Sequence, residues 1–465
     1  MGAVGVAAFL GTVDGSIVNI ALPTIVDEFD ASFGAVQWVV LSYLLTQATL
    51  VLGMGRLADI AGRKAIFITG FVIFIIGSAL AGLSPGVGWL IVFRIIQGVG
   101  SAMIFSIQYA IIIDAFPRSE RGRALGLNAT IVSTGIISGP IIGGLIIDAV
   151  DWRWIFYVNA PIGVIGILAA LRYIPHTKPG GSERFDFLGG ALFFLAILSL
   201  LLGLTFGQER GFTDPLVVSL YSAAVVVFLM FLAVEKRVTH PMLDLSMFRV
   251  GDFSVNLFTR FASFTAMGGV AILFPFYLTN VLGLTSRNVG FTMAALPITM
   301  GLFSPLSGGW SDRNGARKVS MIGLLILVSA FAVGKILLNA DSQVWMFVLM
   351  AVLLGLGFGT FQSPNNSAVM GAVPSTQLGV ASSLVTITRI TGWITGVAVM
   401  GTIWAVRTVS YSGGIAAPDS PPAAQASGLN DVLLVALVLA ASTALLSWWK
   451  WRGRWAPVPD AAAPS

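Results

Sequence analysis

Cysteine is absent from the 465 residues, which excludes disulfides, thiolate metal sites and cysteine nucleophiles and leaves the redox compartment unread. Histidine is nearly absent. His176 and His240 fall in separate predicted loops, and no metal-spaced histidine cluster exists. Charge is scarce too: Asp, Glu, Lys and Arg make up 10% of the chain, against about 25% in a soluble domain. No G-x-x-x-x-G-K-[ST] occurs, because Gly334-Lys335 is followed by Ile336 and lacks the upstream glycine, so nothing supports ATP drive. No G-x-S-x-G nucleophile elbow occurs either. The chain does not read as an enzyme, and no cofactor is expected.

What is present is apolar. Hydrophobic residues make up 56% of the chain and the mean hydropathy is +0.90, the composition of an all-α polytopic membrane protein. Hydropathy predicts about fourteen spans, at roughly 2–25, 35–57, 65–84, 88–113, 122–147, 154–173, 187–207, 215–234, 252–279, 286–310, 319–338, 343–363, 378–406 and 430–451. The first run is full helix length and lacks a small-residue cleavage site after a short core, so no cleavable leader is expected. The pI of about 9.6 would suit a nucleic-acid partner, but the basic residues flank apolar runs instead of clustering. With the N-terminus inside, eighteen of the Lys and Arg fall in cytoplasmic connections. Only Arg153, Arg210, Arg287, Lys335 and Arg407 fall on the opposite face. This asymmetry predicts a multi-pass protein of the cell (inner or plasma) membrane with both termini cytoplasmic, its partner the lipid bilayer. Arg94, Arg260 and Arg389 are left inside predicted helices.

One acid shares that position. Asp14 lies about a dozen residues into the first span, in LGTVDGSIVNIALPTI at 10–25. A charge at that depth costs roughly 2.5–3.5 kcal/mol on insertion scales, so an intramembrane carboxylate is a functional candidate with a partner to be named. It can be a structural mate for a buried arginine, or a group that binds a proton when dry and gives it up beside a cation. Arg94 and Gln97 share one stripe of the fourth span with Ser101, Phe105 and Gln108, and Asp14 is the best-placed acceptor for Arg94 in the same half. Asp14 and Arg94 are therefore the candidate proton-coupling pair.

The chain also repeats itself. GRLADIAGRK at 55–64 reappears as GGWSDRNGARK at 308–318, with Gly55, Asp59 and Gly62 matched by Gly308, Asp312 and Gly315 at a constant offset of 253. FPRSERGRALG at 116–126 is echoed more weakly by VPSTQLGVASS at 373–383. The expected organisation is a six-helix bundle over 1–175, two additional helices with linkers over 176–240, a second six-helix bundle over 241–455 and a disordered tail at 456–465. The Pro/Ala/Ser-rich stretch at 416–427 reads as a flexible linker. Parallel repeats of this kind bind substrate near the midplane, between the halves.

These motifs name a family. GRLADIAGRK looks like the loop signature of the major facilitator superfamily, Arg94-Ile-Ile-Gln97-Gly98 resembles its fourth-helix motif, and GIISGPIIGG at 135–144 is similar to the fifth-helix motif of its antiporters. VDGSIVNIALP at 13–23, with DWRWIFYVNAPIG at 151–163, resembles the fourteen-helix drug:proton antiporter branch. The resemblance implies a major facilitator fold of two six-helix bundles plus two central helices. It also implies gating by Gly55, Asp59, Gly62, Arg63 and Lys64, by their counterparts Asp312 and Arg317, and by the fifth helix through Gly135, Gly139, Pro140 and Gly143. The glycines, four apart on one helix face, let another helix approach closely.

Candidates for the substrate cavity are Trp38, Tyr43, Gln47, Phe105, Gln108, Arg260, Phe264, Phe361, Gln362, Asn366, Arg389 and Trp393. Aromatic groups with a few amides suit a broad, amphipathic ligand. No acid lies inside the second-half spans between 252 and 406, whereas relatives that export divalent organic cations carry one there. Arg260 and Arg389 point instead to neutral or anionic groups. The leading expectation is a monomeric, proton-driven antiporter that exports hydrophobic or amphipathic compounds, drugs and antibiotics among them. An exporter or flippase of lipids or of an endogenous metabolite fits the same residues. A membrane sensor or scaffold would ordinarily add a soluble domain, and none is visible.

Overall fold

In a computed structural model the chain is described over residues 2–116, 121–174, 187–238, 247–248, 251–373 and 378–452. His176, His240, the tail at 456–465 and the side chain of Asp59 lie outside the described residues. Among the described residues there is no strand, and fourteen helices are long and apolar enough to cross a membrane. The first six are α1 (Gly2–Phe29), α2 (Phe33–Ala61), α3 (Arg63–Gly82), α4 (Val87–Ala115), α5 (Arg121–Ala149) and α6 (Trp154–Tyr173). A pair follows, α7 (Phe187–Arg210) and α8 (Pro215–Glu235). The last six are α9 (Gly251–Val281), α10 (Ser286–Asn314), α11 (Ala316–Leu337), α12 (Val344–Gly371), α13 (Leu378–Tyr411) and α14 (Pro422–Arg452).

Every span expected from hydropathy is present, several with polar turns added at the ends. Hydropathy cannot see those turns, because capping rather than burial sets a helix end. Ser32 accepts from the backbone N–H of Ala35, and Asp214, followed by Pro215, accepts from that of Leu216. The stretch expected as a linker at 416–427 is helical from Pro422 onward. Proline suits the first helical position and alanine is the best helix former, so a Pro/Ala-rich segment reads equally well as a helix start.

The repeat is visible in the packing. In the first six helices α1 packs on α5 and α6, α2 on α4, and α3 on α4 and α6. In the last six α9 packs on α13 and α14, α10 on α12, and α11 on α12 and α14. The repeated loops share a backbone as well. Gly62 (φ 96°, ψ 128°) alone links α2 to α3, and Gly315 (φ 87°, ψ 134°) alone links α10 to α11. Both donate back into the preceding helix, to the carbonyls of Ala58 and Ser311. That backbone favours glycine strongly, which explains its presence at both positions.

The two groups of six meet in two seams related by the same offset of 253. On one, Gly144 of α5 faces Gly290 of α10, the glycines letting the backbones nearly touch. On the other, Gln37 of α2 donates to the carbonyl of Val397 of α13 at 2.6 Å. Residues 37 and 397 are the exchanged counterparts of 290 and 144. Phe33 and Trp404 stack edge to face beside the second seam, their centroids 4.7 Å apart. These contacts lie toward the ends of the helices away from Gly62 and Gly315. That end is called here the distal end, and the end with the repeated loops the basic end.

Helices α7 and α8 stand apart from this symmetry. α7 lies against α2 and α13 over the second seam, where Trp38 donates to Thr205 at 2.9 Å and Gln208 donates to Thr402 at 2.8 Å. α8 packs mainly on α7, through Phe193 and Phe231.

Candidate functional site

Asp14 sits midway along α1 and is completely buried. A buried ion pair is tolerable only when the remaining lone pairs and protons find partners. Here Oδ2 accepts from Arg94 at 2.8 Å, while Oδ1 accepts from Gln97 at 2.7 Å and from Asn159 at 2.9 Å. Arg94 and Gln97 converge because they are one turn apart on α4. Asn159 arrives from α6, which is interrupted at Val158 and restarts there. Its amide also donates to Ser78 of α3 at 3.0 Å, and its Oδ1 has no partner. Two helices, α4 and α6, thus bring three side-chain donors to one carboxylate on α1.

Arg94 does not depend on that carboxylate alone. It donates to Gln97 Oε1 at 2.5 Å and to the carbonyl of Val39 at 3.1 Å, and its guanidinium lies 4.1 Å from the centre of the Tyr43 ring. Tyr43, one turn beyond Val39 on α2, hydrogen-bonds Ser101 at 2.8 Å, and Gln47 donates to the same hydroxyl at 2.8 Å. A chain of polar groups therefore runs from Asp14 through Arg94 and Tyr43 to Gln47.

The second half holds a different arrangement. Arg260 is buried, donates to Asn366 at 2.5 Å and to the carbonyl of Val385 at 3.1 Å, and lies 4.9 Å over the Phe264 ring. Arg389 is exposed and lies in the neighbourhood of Tyr43. Gln362, Asn366 and Trp393 are half-buried. Other cavity candidates are committed elsewhere. Trp38 binds α7, Phe361 is buried with its backbone against Gly323, and Phe105 packs on Gly11 of α1. Gln108 is buried and donates to Asn128 at 3.0 Å.

Of the gating candidates, Gly55 lies against Ser106 of α4, Lys64 donates to the carbonyl of Leu171, and Asp312 is exposed. Arg63 is held by an interaction of its own. Arg317 pairs with Asp252 of α9. In α5 the glycine face is taken by the same half: Gly135, Gly139 and Gly143 meet Thr12, Ser16 and Ile17 of α1. The seam with the other half runs through the next glycine, Gly144, and the Pro140 carbonyl, which faces Gly290.

Sequence reasoning gave no role to Asn159, Ser78 or Gln37. Asn159 stood inside DWRWIFYVNAPIG, where an amide in an apolar helix was the available signal. Gly392 was also passed over, although it and Gly396 follow Gly139 and Gly143 at the offset of 253. They bring α13 onto Phe261 and Thr265 of α9.

Comparison with known proteins agrees with this architecture. The family model described as Major Facilitator Superfamily matches residues 4–243 and 257–453. The riboflavin transporter RibZ of Clostridioides difficile is 33% identical over 88% of this chain and 88% of its own. The multidrug resistance protein Stp of Mycobacterium tuberculosis is 32% identical over 87% of this chain and 75% of its own. The tetracenomycin C resistance and export protein of Streptomyces glaucescens is 31% identical over the same shares. Among solved structures, a bacterial homologue of the lysosomal transporter Spinster superposes with a TM-score of 0.68 at 19% identity, covering 98% of both chains. The chain belongs to the major facilitator superfamily and is a multi-pass membrane transporter, not an enzyme.

Proposed function

We propose that the protein is a proton-coupled antiporter that exports amphipathic compounds by rocking two six-helix halves, α1–α6 and α9–α14, against each other. Both termini would be cytoplasmic, in the cell membrane, and the protein would act as a monomer. The observation that carries the reading is the Asp14 site. A carboxylate and a guanidinium held in the dry interior are costly, and a transporter recovers that cost if the pair opens and closes with its cycle. Arg94 can let go of Asp14 without losing every partner, because the oxygens of Gln97 and Val39 remain as acceptors and the Tyr43 ring stays against its guanidinium. A proton on Asp14 then replaces the arginine. When the halves rock back, Arg94 returns by a side-chain shift within the first half and displaces the proton to the other side.

The seams supply the motion. Both lie at the distal end, so the conformation described is closed there. Opening it means parting Gly144 from Gly290 and Gln37 from Val397 together, while the loops at Gly62 and Gly315 close the basic end. A proton crossing with the potential contributes roughly 2.3 kcal/mol per 100 mV, enough to drive a substrate uphill.

For the substrate, Arg260, Arg389, Asn366 and Trp393 favour a planar, neutral or anionic amphiphile. That the relatives include proteins named for riboflavin and for tetracenomycin C agrees with this. The first of them also favours a second reading, export or exchange of an endogenous aromatic metabolite. Purified protein titrated with cationic, neutral and anionic aromatic compounds should release protons on binding the true substrate. Binding with no proton release at any pH between 6 and 9 would refute the coupling.

A further inference from the structure

Three helices meet at the basic end in a cleft beside the repeated loop at Gly315. It is small, about 40 Å³, open to the surface, and lined by Asp252 and Asn256 of α9, Arg317 and Ser320 of α11, and Ser447 and Lys450 of α14. One carboxylate serves two cations there. Asp252 accepts from Arg317 through one oxygen, and Lys450 Nζ lies 3.5 Å from the other. Ser320 is 8% exposed, and its hydroxyl oxygen is buried with no hydrogen-bond partner. Buried polar groups are nearly always paired, so an orphan hydroxyl beside two cations marks a place for an acceptor. α9 and α11 both begin at this cleft, so their N-terminal dipoles add positive potential.

We propose that this cleft binds a phosphate group, in the bilayer that of an anionic phospholipid headgroup. Arg317 and Lys450 would make charge-assisted hydrogen bonds to the phosphate oxygens and Ser320 would donate a third. Asp252 competes with the phosphate and holds the cations in place when the cleft is empty. The surroundings fit a lipid. Trp448 and Trp449 are exposed immediately before Lys450, as aromatic residues are at the headgroup level of a membrane. Leu445 of α14 and Ile322 and Leu325 of α11 are exposed deeper along the same helices, where acyl chains would run. Basic pockets between helices on the cytoplasmic side are the physical setting for such recognition.

The test is native mass spectrometry of the purified, full-length protein with phosphatidylglycerol. Diacylglycerol of the same chains serves as a phosphate-free control, and a thermal-shift arm uses inorganic phosphate. Wild type should retain phosphatidylglycerol and not diacylglycerol. Arg317→Gln and Lys450→Gln should each lower its affinity about fivefold, the effect expected of one cation at a membrane surface. Asp252→Asn should raise it, since a competitor is removed without touching the cations. Stabilisation by inorganic phosphate, lost in the same two variants, would place a soluble phosphate in the cleft instead of a lipid. Equal phosphatidylglycerol affinity in wild type, Arg317→Gln and Lys450→Gln, with no phosphate response, would overturn the proposal. So would weaker binding by Asp252→Asn.

Discussion

Replacing Gly290 by leucine should prop the distal end open. A Cβ at 290 would meet the Pro140 carbonyl of the facing helix and come within 3.2 Å of Gly144 Cα. Both are backbone atoms, so no side chain can swing aside. Overpacking a tight contact costs about 1–3 kcal/mol, and here the cost falls on the state that has the contact. The equilibrium should therefore shift about 5- to 150-fold toward the conformation in which α5 and α10 part. The natural absence of cysteine provides a clean reporter. Val397 is 1% exposed at the other seam and contributes only its backbone carbonyl to Gln37, so Val397→Cys leaves that bond in place. If the halves move as rigid bodies, Gly290→Leu on the first seam should raise labelling of Cys at 397 by a membrane-impermeant maleimide. Gly143→Leu is the control: it meets Ile17 within the same half and should lower stability without raising labelling. The rigid-body reasoning fails if folded Gly290→Leu leaves Cys at 397 as protected as before, or if Gly143→Leu exposes it equally.

Three further outcomes follow from the geometry. Asn159→Ala removes donors from Asp14 and Ser78, and leaving a buried acceptor underserved should cost about 1–3 kcal/mol, read as a lowered midpoint of thermal unfolding. An unchanged midpoint would mean that the Asn159 bonds carry little. Gly62→Ala and Gly315→Ala each force a side chain into a positive-φ backbone at a cost of about 1–3 kcal/mol. Each should slow transport by a similar factor if the loops are equivalent; a large effect at one and none at the other would break the symmetry argument. Arg389→Gln should reduce binding of an anionic aromatic compound more than that of its neutral analogue, measured by calorimetry. Equal losses for both would remove charge from its role.

The fold was legible because a membrane imposes one strong periodic demand. An apolar run of about twenty residues per crossing is visible without any knowledge of packing, and all fourteen helices were found this way. The positive-φ loops were equally legible, since only glycine tolerates that backbone readily and two glycines stood at a fixed offset. Asp14 and Arg94 stood out as charges where charge is expensive. Gln97 was visible on Arg94's stripe, but its bond to Asp14 was not, and Asn159 was missed. Neither carries a charge, and whether an amide in an apolar helix faces lipid, packing or a carboxylate depends on helix rotation. The glycine face of α5 shows the same limit. Its spacing announced a close neighbour, but α1 and α10 approach different faces of α5, and one sequence does not say which helix takes which. Trp38 and Phe361 were grouped with the cavity because an aromatic in a span has the same sequence signature whether it packs or lines a void.

Transport against a gradient by Asp14→Asn in proteoliposomes bears most directly on the coupling claim. Asparagine keeps the size and the hydrogen-bonding capacity of a protonated carboxyl, and Arg94 retains Gln97, Val39 and Tyr43, so the variant should fold and bind substrate. With an imposed proton gradient, wild type should concentrate substrate, while Asp14→Asn should reach only equal concentrations on both sides, with downhill exchange still measurable. Accumulation by Asp14→Asn at the wild-type rate and level would show that the coupled proton is carried elsewhere.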